Sequence, residues 1–210
     1  MSTKKTHYSL LKACETGDKI TLVSLLVQGV NVDYQDQSRK TPLLLACENR
    51  HELIVLLLLE GKADPNIQDD FGNTALIVAC LNGSENIVSS LLSKNANPDI
   101  KDRDGNTALI YACNRGFEKI VSMLLSKNAD PDIKDNYGRD ALCWASKFNY
   151  NSIVLSLKLS KYKKECVQKK ILLLCCREFC DDNVFFKNFL PLDVFKHIFY
   201  IYREVSLFEQ

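Results

Sequence analysis

The sequence predicts an all-α solenoid of about five helical hairpins, followed by a small helical segment at its C-terminal end. The main observation is self-similarity, because the same residue types return at intervals of 33 residues through most of the chain. The clearest columns are Thr41, Thr74 and Thr107, and Ala13, Ala46, Ala79, Ala112 and Ala145. A period of this length is typical of stacked supersecondary units, each of which buries its apolar face only against its neighbours.

Each unit begins with a short first helix. Thr74 is a good N-cap, because its hydroxyl can accept a hydrogen bond from the first helical turn. Pro42 fits the position after such a cap, where a missing N–H costs little. Gly83 and Gly116 follow the apolar stretch and are typical of the left-handed residue that ends a helix.

A second helix follows, over about residues 86–93 in the third unit. Its apolar residues fall at positions i, i+1, i+4 and i+5, which places them on one buried face. They are Ile87, Val88, Leu91 and Leu92. Residues 96–98 (Ala-Asn-Pro) then break the helical pattern, and residues 102–105 (Asp-Arg-Asp-Gly) predict a turn into the next unit.

The repeated motifs resemble those of the ankyrin repeat. The opening motif stands as TPLLLA, TALIVA and TALIYA at residues 41–46, 74–79 and 107–112, and the closing motif as KADPN, NANPD and NADPD. The resemblance covers about residues 5–161, with a divergent first repeat and a decaying fifth, and it implies a solenoid that binds other proteins. Arg39 stands where the turn glycine belongs in the second repeat, so we expect that turn to be strained or differently shaped.

Four of the nine cysteines form another column of the repeat. They are Cys14, Cys47, Cys80 and Cys113. Equivalent helices of neighbouring repeats stack about 8–10 Å apart, which is more than the Cα separation of about 7 Å that a disulfide tolerates. We therefore interpret these four as small buried hydrophobes. A second group lacks the paired spacing of a zinc site, so core packing is its main interpretation and metal binding the alternative. It comprises Cys166, Cys175, Cys176 and Cys180.

The sequence carries no pattern that indicates an enzyme or a cofactor. The three histidines are scattered, and there is no glycine motif for phosphate or dinucleotide binding. The 27 basic and 26 acidic side chains nearly cancel, which does not favour nucleic acid as a partner. The longest apolar run, residues 53–59, is too short to span a membrane. We expect a non-enzymatic cytosolic protein, with no secretion signal in its polar first residues.

In the ankyrin architecture the hairpin tips and the exposed side of the first helices form a concave groove, where a protein target would bind. The positions that the fold fixes least carry aromatic and charged residues, and Tyr, Trp and Arg are the usual energetic centres of interfaces. The predicted target-binding residues are Phe71, Arg103, Asp104, Tyr111, Tyr137, Arg139 and Trp144. For Tyr111 and Trp144 the alternative is that they only pack along the groove.

The repeat pattern stops near residue 160, and residues 162–210 form a second region. Residues 162–180 predict one helix, rich in Lys at its start and in Leu and Cys later. Residues 190–202 predict another helix, which is too apolar to lie free on a surface. We expect part of this region to pack on the preceding helices and part to be available to a partner.

The stretch that begins with Leu190-Pro191 resembles the start of an F-box, and its place behind ankyrin repeats is similar to that in the PRANC proteins of poxviruses and of intracellular bacteria such as Orientia. F-boxes bind the Skp-type adaptor of cullin–RING ubiquitin ligases. The resemblance implies a virulence effector in the host-cell cytosol, with adaptor contacts at Leu190, Pro191, Val194, Ile198 and Phe199. The stretch is shorter than a full F-box. The alternative is a helical cap on the solenoid of a non-enzymatic scaffold or sequestering protein.

Overall fold

The computed structural model describes the backbone of residues 3–168 and the side chains of residues 5–164. Over this part of the chain the structure is helical, with no β-strand. The helices are α1 (Thr3–Thr16), α2 (Lys19–Val27), α3 (Pro42–Glu48), α4 (Glu52–Glu60), α5 (Ala75–Asn82), α6 (Glu85–Ser93), α7 (Ala108–Arg115), α8 (Glu118–Ser126), α9 (Ala141–Lys147) and α10 (Asn151–Gln168). The prediction of an all-α fold with five helical hairpins is confirmed.

The helices stack in two rows that follow the chain. The first helices of successive repeats pack on one another in the order α1, α3, α5, α7 and α9, and the second helices pack in the order α2, α4, α6 and α8. One apolar core runs through the stack from Leu10 in α1 to Leu157 in α10. The chain divides into two compact units, Met1–Leu157 and Lys158–Gln210. Because each repeat contacts only its neighbours, the stability of the first unit is approximately the sum of the stabilities of single repeats and of the interfaces between neighbours.

The first helices start as the sequence predicts. In four repeats a side-chain oxygen accepts a hydrogen bond from the backbone N–H three residues later, over 2.8 to 3.4 Å. The capping residues are Thr41, Thr74, Thr107 and Asp140. The three threonines are buried, so each cap satisfies a donor that water cannot reach.

The cysteine column lies in the core. Cys14, Cys47, Cys80 and Cys113 are free thiols and are fully buried. Burial raises the pKa of Cys14 and of Cys113 to about 12, which keeps both thiols protonated and unreactive at neutral pH. The interpretation of this column as small buried hydrophobes is confirmed. Cys175, Cys176 and Cys180 lie outside the described residues, and of Cys166 only the backbone is described.

Left-handed residues end the first helices and shape the hairpin tips. Gly83 and Gly116 have φ angles of 69° and 74° at the C-caps of α5 and α7, as predicted. Arg39 adopts a φ of 59° at the tip position that Gly72 occupies with a φ of 79°. The turn at Arg39 therefore stays left-handed like its glycine equivalents, and the backbone carries strain of about 1–2 kcal/mol for a residue with a Cβ atom.

The last described helix differs from the prediction. The sequence pattern predicts a new helix from residue 162, but α10 begins at Asn151 and continues without interruption to Gln168. In the earlier repeats a left-handed residue, such as Asn95 or Asn128, stops the second helix. Lys161 stands at the equivalent position, and the sequence of α10 contains neither Gly nor Pro. The expected domain boundary between residues 161 and 162 therefore falls within a helix.

Candidate protein-binding surface

An aspartate column builds the hairpin tips. In each tip one carboxylate oxygen accepts hydrogen bonds from the backbone N–H groups two and four residues later, over 2.8 to 2.9 Å. The aspartates are Asp36, Asp69, Asp102 and Asp135. These bonds fix the turn backbone from within and leave the side chains between them directed to solvent. Phe71 and Tyr137 are 63% and 75% exposed.

Backbone hydrogen bonds join each tip to the next. The Arg103 N–H donates to the Phe71 carbonyl, and the Asn136 N–H donates to the Asp104 carbonyl, both over 2.9 Å. The Asp70 N–H donates to the Ser38 carbonyl over 3.1 Å. We call the surface formed by residues 36–40, 69–73, 102–106 and 135–139 the hairpin-tip strip. It is a continuous surface, in which four of the predicted residues are exposed, namely Phe71, Arg103, Asp104 and Tyr137.

Tyr111 is tied to its own repeat. Its hydroxyl donates to the second carboxylate oxygen of Asp102 over 2.6 Å, and the Asn106 amide donates to the hydroxyl oxygen over 3.4 Å. Burial and, to a smaller extent, the hydrogen bond to Asp102 raise the pKa of Tyr111. The ring is part-buried against the core. These contacts favour the packing alternative for Tyr111, because its polar end already has partners.

Trp144 lies at the centre of an aromatic and cationic cluster. The guanidinium carbon of Arg139 lies 4.4 Å from the centroid of the Trp144 ring and 4.6 Å from that of Tyr137. Lys147 Nζ lies 4.9 Å from the Trp144 centroid, and the Phe148 ring stacks on Trp144 at 6.3 Å. We call these five residues the Trp144 cluster. It unites three of the predicted target-binding residues, and such cation–π contacts contribute about 0.5–1 kcal/mol each at exposed sites.

Lys147 and Phe148 belong to this cluster although neither is among the residues predicted from the sequence. Phe148 stands four residues after Trp144, and Lys147 stands three after it. Residues at these spacings share one side of a helix. Helical spacing from Trp144 is therefore the signal that identifies them. The 33-residue period gives no signal, because Asn114 and Arg115 stand at the positions equivalent to Lys147 and Phe148.

The Arg139–Asp135 pair holds the cluster to the hairpin-tip strip. Arg139 Nε lies 2.7 Å from an Asp135 oxygen, and the Asp135 side chain is fully buried. Burial alone would raise the pKa of Asp135, but hydrogen bonds from the backbone and side chain of Arg139 and from the Tyr137 N–H outweigh it and lower that pKa. The pair thus keeps Asp135 ionised and Arg139 in place beneath the two rings.

Replacing Asp135 with Asn should reduce the loss of stability in acid. A lowered folded-state pKa stabilises the protein above the unfolded carboxyl pKa of about 3.9, and this stabilisation is lost as the pH falls through the folded value. Asn retains an acceptor oxygen for the two backbone N–H groups. We expect the unfolding free energy of Asp135→Asn, measured with urea at a series of pH values, to fall less steeply in acid than that of the parent chain.

Arg139→Gln provides the comparison for this prediction, since it keeps the carboxylate and removes the guanidinium. It should also make the unfolding free energy fall less steeply in acid, because the pKa of Asp135 is lowered less when the guanidinium is absent. Equal acid limbs in all three proteins would mean that the Asp135–Arg139 pair contributes no pH-dependent stability.

The described residues contain no group of three or more His, Cys, Asp and Glu side chains placed to hold a metal ion. None of the described helices has the length and apolar character to cross a membrane. Stacked helical hairpins with joined, exposed tips define the class of helical repeat proteins. The family model described as ankyrin repeats (three copies) matches residues 10–102 and 92–170, and the chain belongs to the ankyrin-repeat family.

The family match continues past residue 161, the predicted end of the repeats, to residue 170. No curated protein matches the chain. Ankyrin repeats bind protein targets and are generally interaction modules without catalytic activity. Binding of a protein target is therefore the activity that the family supports for the described part of this chain.

Proposed function

We propose that the protein is a substrate-recruiting adaptor that works in the cytosol of a host cell as a virulence effector. The ankyrin repeats hold a target protein, and the C-terminal region binds the Skp-type adaptor of a cullin–RING ubiquitin ligase. The protein itself supplies no catalytic group. Tethering raises the effective concentration of the target at the ligase, which accelerates modification without any new chemistry.

The Trp144 cluster is the observation that carries the target-binding half. At the end of the hairpin-tip strip an arginine contacts both an exposed tyrosine and an indole. Tyr, Trp and Arg are the residues that most often dominate binding energy in interfaces. The proposed target surface comprises Phe71, Arg103, Asp104, Tyr111, Tyr137, Arg139 and Trp144, with Tyr111 in a supporting position behind Asp102.

The ligase half rests on the sequence motif alone. Its proposed adaptor contacts are Leu190, Pro191, Val194, Ile198 and Phe199. These positions lie outside the described residues, and the family match ends at residue 170, before the motif. The second candidate function is a scaffold or sequestering protein whose binding surface acts without a ligase, and it needs only the protein-binding role that the ankyrin repeats support.

A pull-down of the Skp-type adaptor from host lysate separates the two functions. The bait is the full chain, compared with a Leu190→Ala, Pro191→Ala double variant and with Trp144→Ala as the matched control. We expect the intact chain and Trp144→Ala to retain the adaptor and the double variant to lose it. Circular dichroism and gel filtration of all three baits verify that they remain helical and of the same size.

Failure of the intact chain to retain the adaptor would overturn the ligase half and leave the scaffold function. Retention by the double variant would show that the adaptor binds elsewhere, and the F-box-like assignment would then be wrong. Loss of the adaptor in Trp144→Ala alone would place the adaptor, rather than a target, on the ankyrin surface.

A further inference from the structure

The Trp144 indole N–H is a buried donor without an acceptor. Among the described side chains it is the one buried nitrogen or oxygen atom for which no hydrogen-bond partner exists. Buried polar groups are nearly always hydrogen-bonded, and an unpaired one costs free energy in the folded state. A donor of this kind, in the middle of an exposed cluster, is explained if its acceptor belongs to a bound molecule.

Lys147, in the same cluster, is a cation that has no counter-ion among the described residues. Its Nζ lies 4.9 Å from the Trp144 centroid and 5.5 Å from the Phe148 centroid, and no carboxylate in the described part of the chain lies within 4.0 Å of it. Arg139, by contrast, is neutralised by Asp135 at 2.7 Å. The C-terminal end of α9 accounts for a positive charge at Lys147, but it does not account for the unpaired indole.

Arg139, Lys147 and Phe148 all lie against the indole, and the last two can move aside for a ligand while Asp135 holds Arg139. Lys147 is exposed, and Phe148 is 43% exposed. Both are held to Trp144 by ring and cation–π contacts rather than by ion pairs. Rotation of a lysine stem is fast and inexpensive at a surface, so a target segment can reach the indole N–H by replacing these contacts.

We propose that Trp144 and Lys147 form a carboxylate site, which binds an Asp or Glu side chain of the target. One carboxylate oxygen accepts the indole N–H, and the other pairs with Lys147 Nζ. A neutral carbonyl would satisfy the indole alone, whereas a single negative charge matches the single unpaired cation. This inference rests on the target-binding half of the proposed function and is independent of the ligase half.

Selection of binding peptides from a random displayed library tests the site directly. The full chain is the bait, and the selected peptide is then titrated while the fluorescence of Trp144 is followed, because the chain has one tryptophan. We expect the selected peptides to share an acidic residue. Changing that residue to its amide should weaken binding about 10- to 100-fold, as for a charge pair that loses one partner.

Two conservative variants show whether the discrimination arises at this site. Lys147→Met keeps an apolar stem over the ring and removes the charge, and Trp144→Phe keeps a ring and removes the donor. Each should bind the acidic peptide and its amide with more nearly equal affinity, measured by the anisotropy of a labelled peptide. Arg115→Met is the matched control, because it removes a cation from the last turn of the neighbouring helix α7. It should leave the discrimination unchanged.

Peptides without a shared acidic residue, or full discrimination in Lys147→Met, would overturn the carboxylate site. Failure of the chain to select any peptide would also count against it. None of these three results bears on the capture of the Skp-type adaptor. A failed capture together with acid-selective peptides would instead overturn the ligase half and leave the carboxylate site in place.

Discussion

Replacing Gly116 with Ala should lower the free energy of unfolding by about 2–5 kcal/mol, as the sum of two costs. Gly116 has a φ of 74°, and this left-handed conformation is unfavourable for a residue with a Cβ atom. The added Cβ would also lie 2.7 Å from Cζ of Tyr150 in the next repeat, well inside van der Waals contact. Urea unfolding followed by circular dichroism measures the loss.

Tyr150→Ser should reverse the steric part of this cost. In the same column of the repeat Arg50 has a φ of 57°, and the residue at the ring position of the following repeat is Ser84. The pair Arg50 and Ser84 thus already combines a left-handed residue that has a side chain with a small residue in place of the ring. In the Tyr150→Ser background we expect Gly116→Ala to cost only the backbone part, about 1–2 kcal/mol. An equal cost in both backgrounds would show that the ring contact is not restrictive.

The stacked positions of glycine and aromatic residue show which parts of the fold can be predicted from the sequence. Gly83 and Gly116 are recognisable as helix ends from their position after an apolar stretch, and the structure confirms both. Their second role was not predicted, because the contact of Gly83 with Phe117 depends on the distance between stacked repeats. The sequence does carry a signal for this role. Gly83 and Gly116 are each followed in the next repeat by an aromatic residue at the contact position, whereas Arg50 is followed there by Ser84.

The candidate site was predictable in position but not in its contacts. The 33-residue period identifies the hairpin tips, and Tyr137, Arg139 and Trp144 do meet there. The period cannot assign partners, because the second oxygens of Asp69, Asp102 and Asp135 each bind a different group. In successive repeats these groups are an amide of Asn73, the hydroxyl of Tyr111 and the guanidinium of Arg139. The backbone of the tips is the same in each repeat but the side-chain partners differ, so the 33-residue period alone does not predict the contacts of the site.

Leu91→Ala should lower the free energy of unfolding by about 2–5 kcal/mol, the usual range for a buried leucine truncated to alanine. Leu91 lies on α6 in the central repeat and is fully buried. Repeats on both sides depend on this one, because a solenoid has no contacts that bypass a repeat. We expect the urea transition to move to lower concentration when followed both by circular dichroism and by Trp144 fluorescence.

Leu25→Ala is the matched control, since Leu25 occupies the same position of the motif in the first repeat and is also buried. The first repeat contacts one neighbour only, so its loss should appear as a partial decrease of helicity before the main transition. Trp144 lies in the fifth repeat, and its fluorescence transition should stay close to that of the parent chain. If Leu25→Ala instead shifted the Trp144 transition as far as Leu91→Ala does, the repeats would unfold as one cooperative body. The target-binding end could then not be destabilised independently of the first repeat, and every core substitution would impair binding equally.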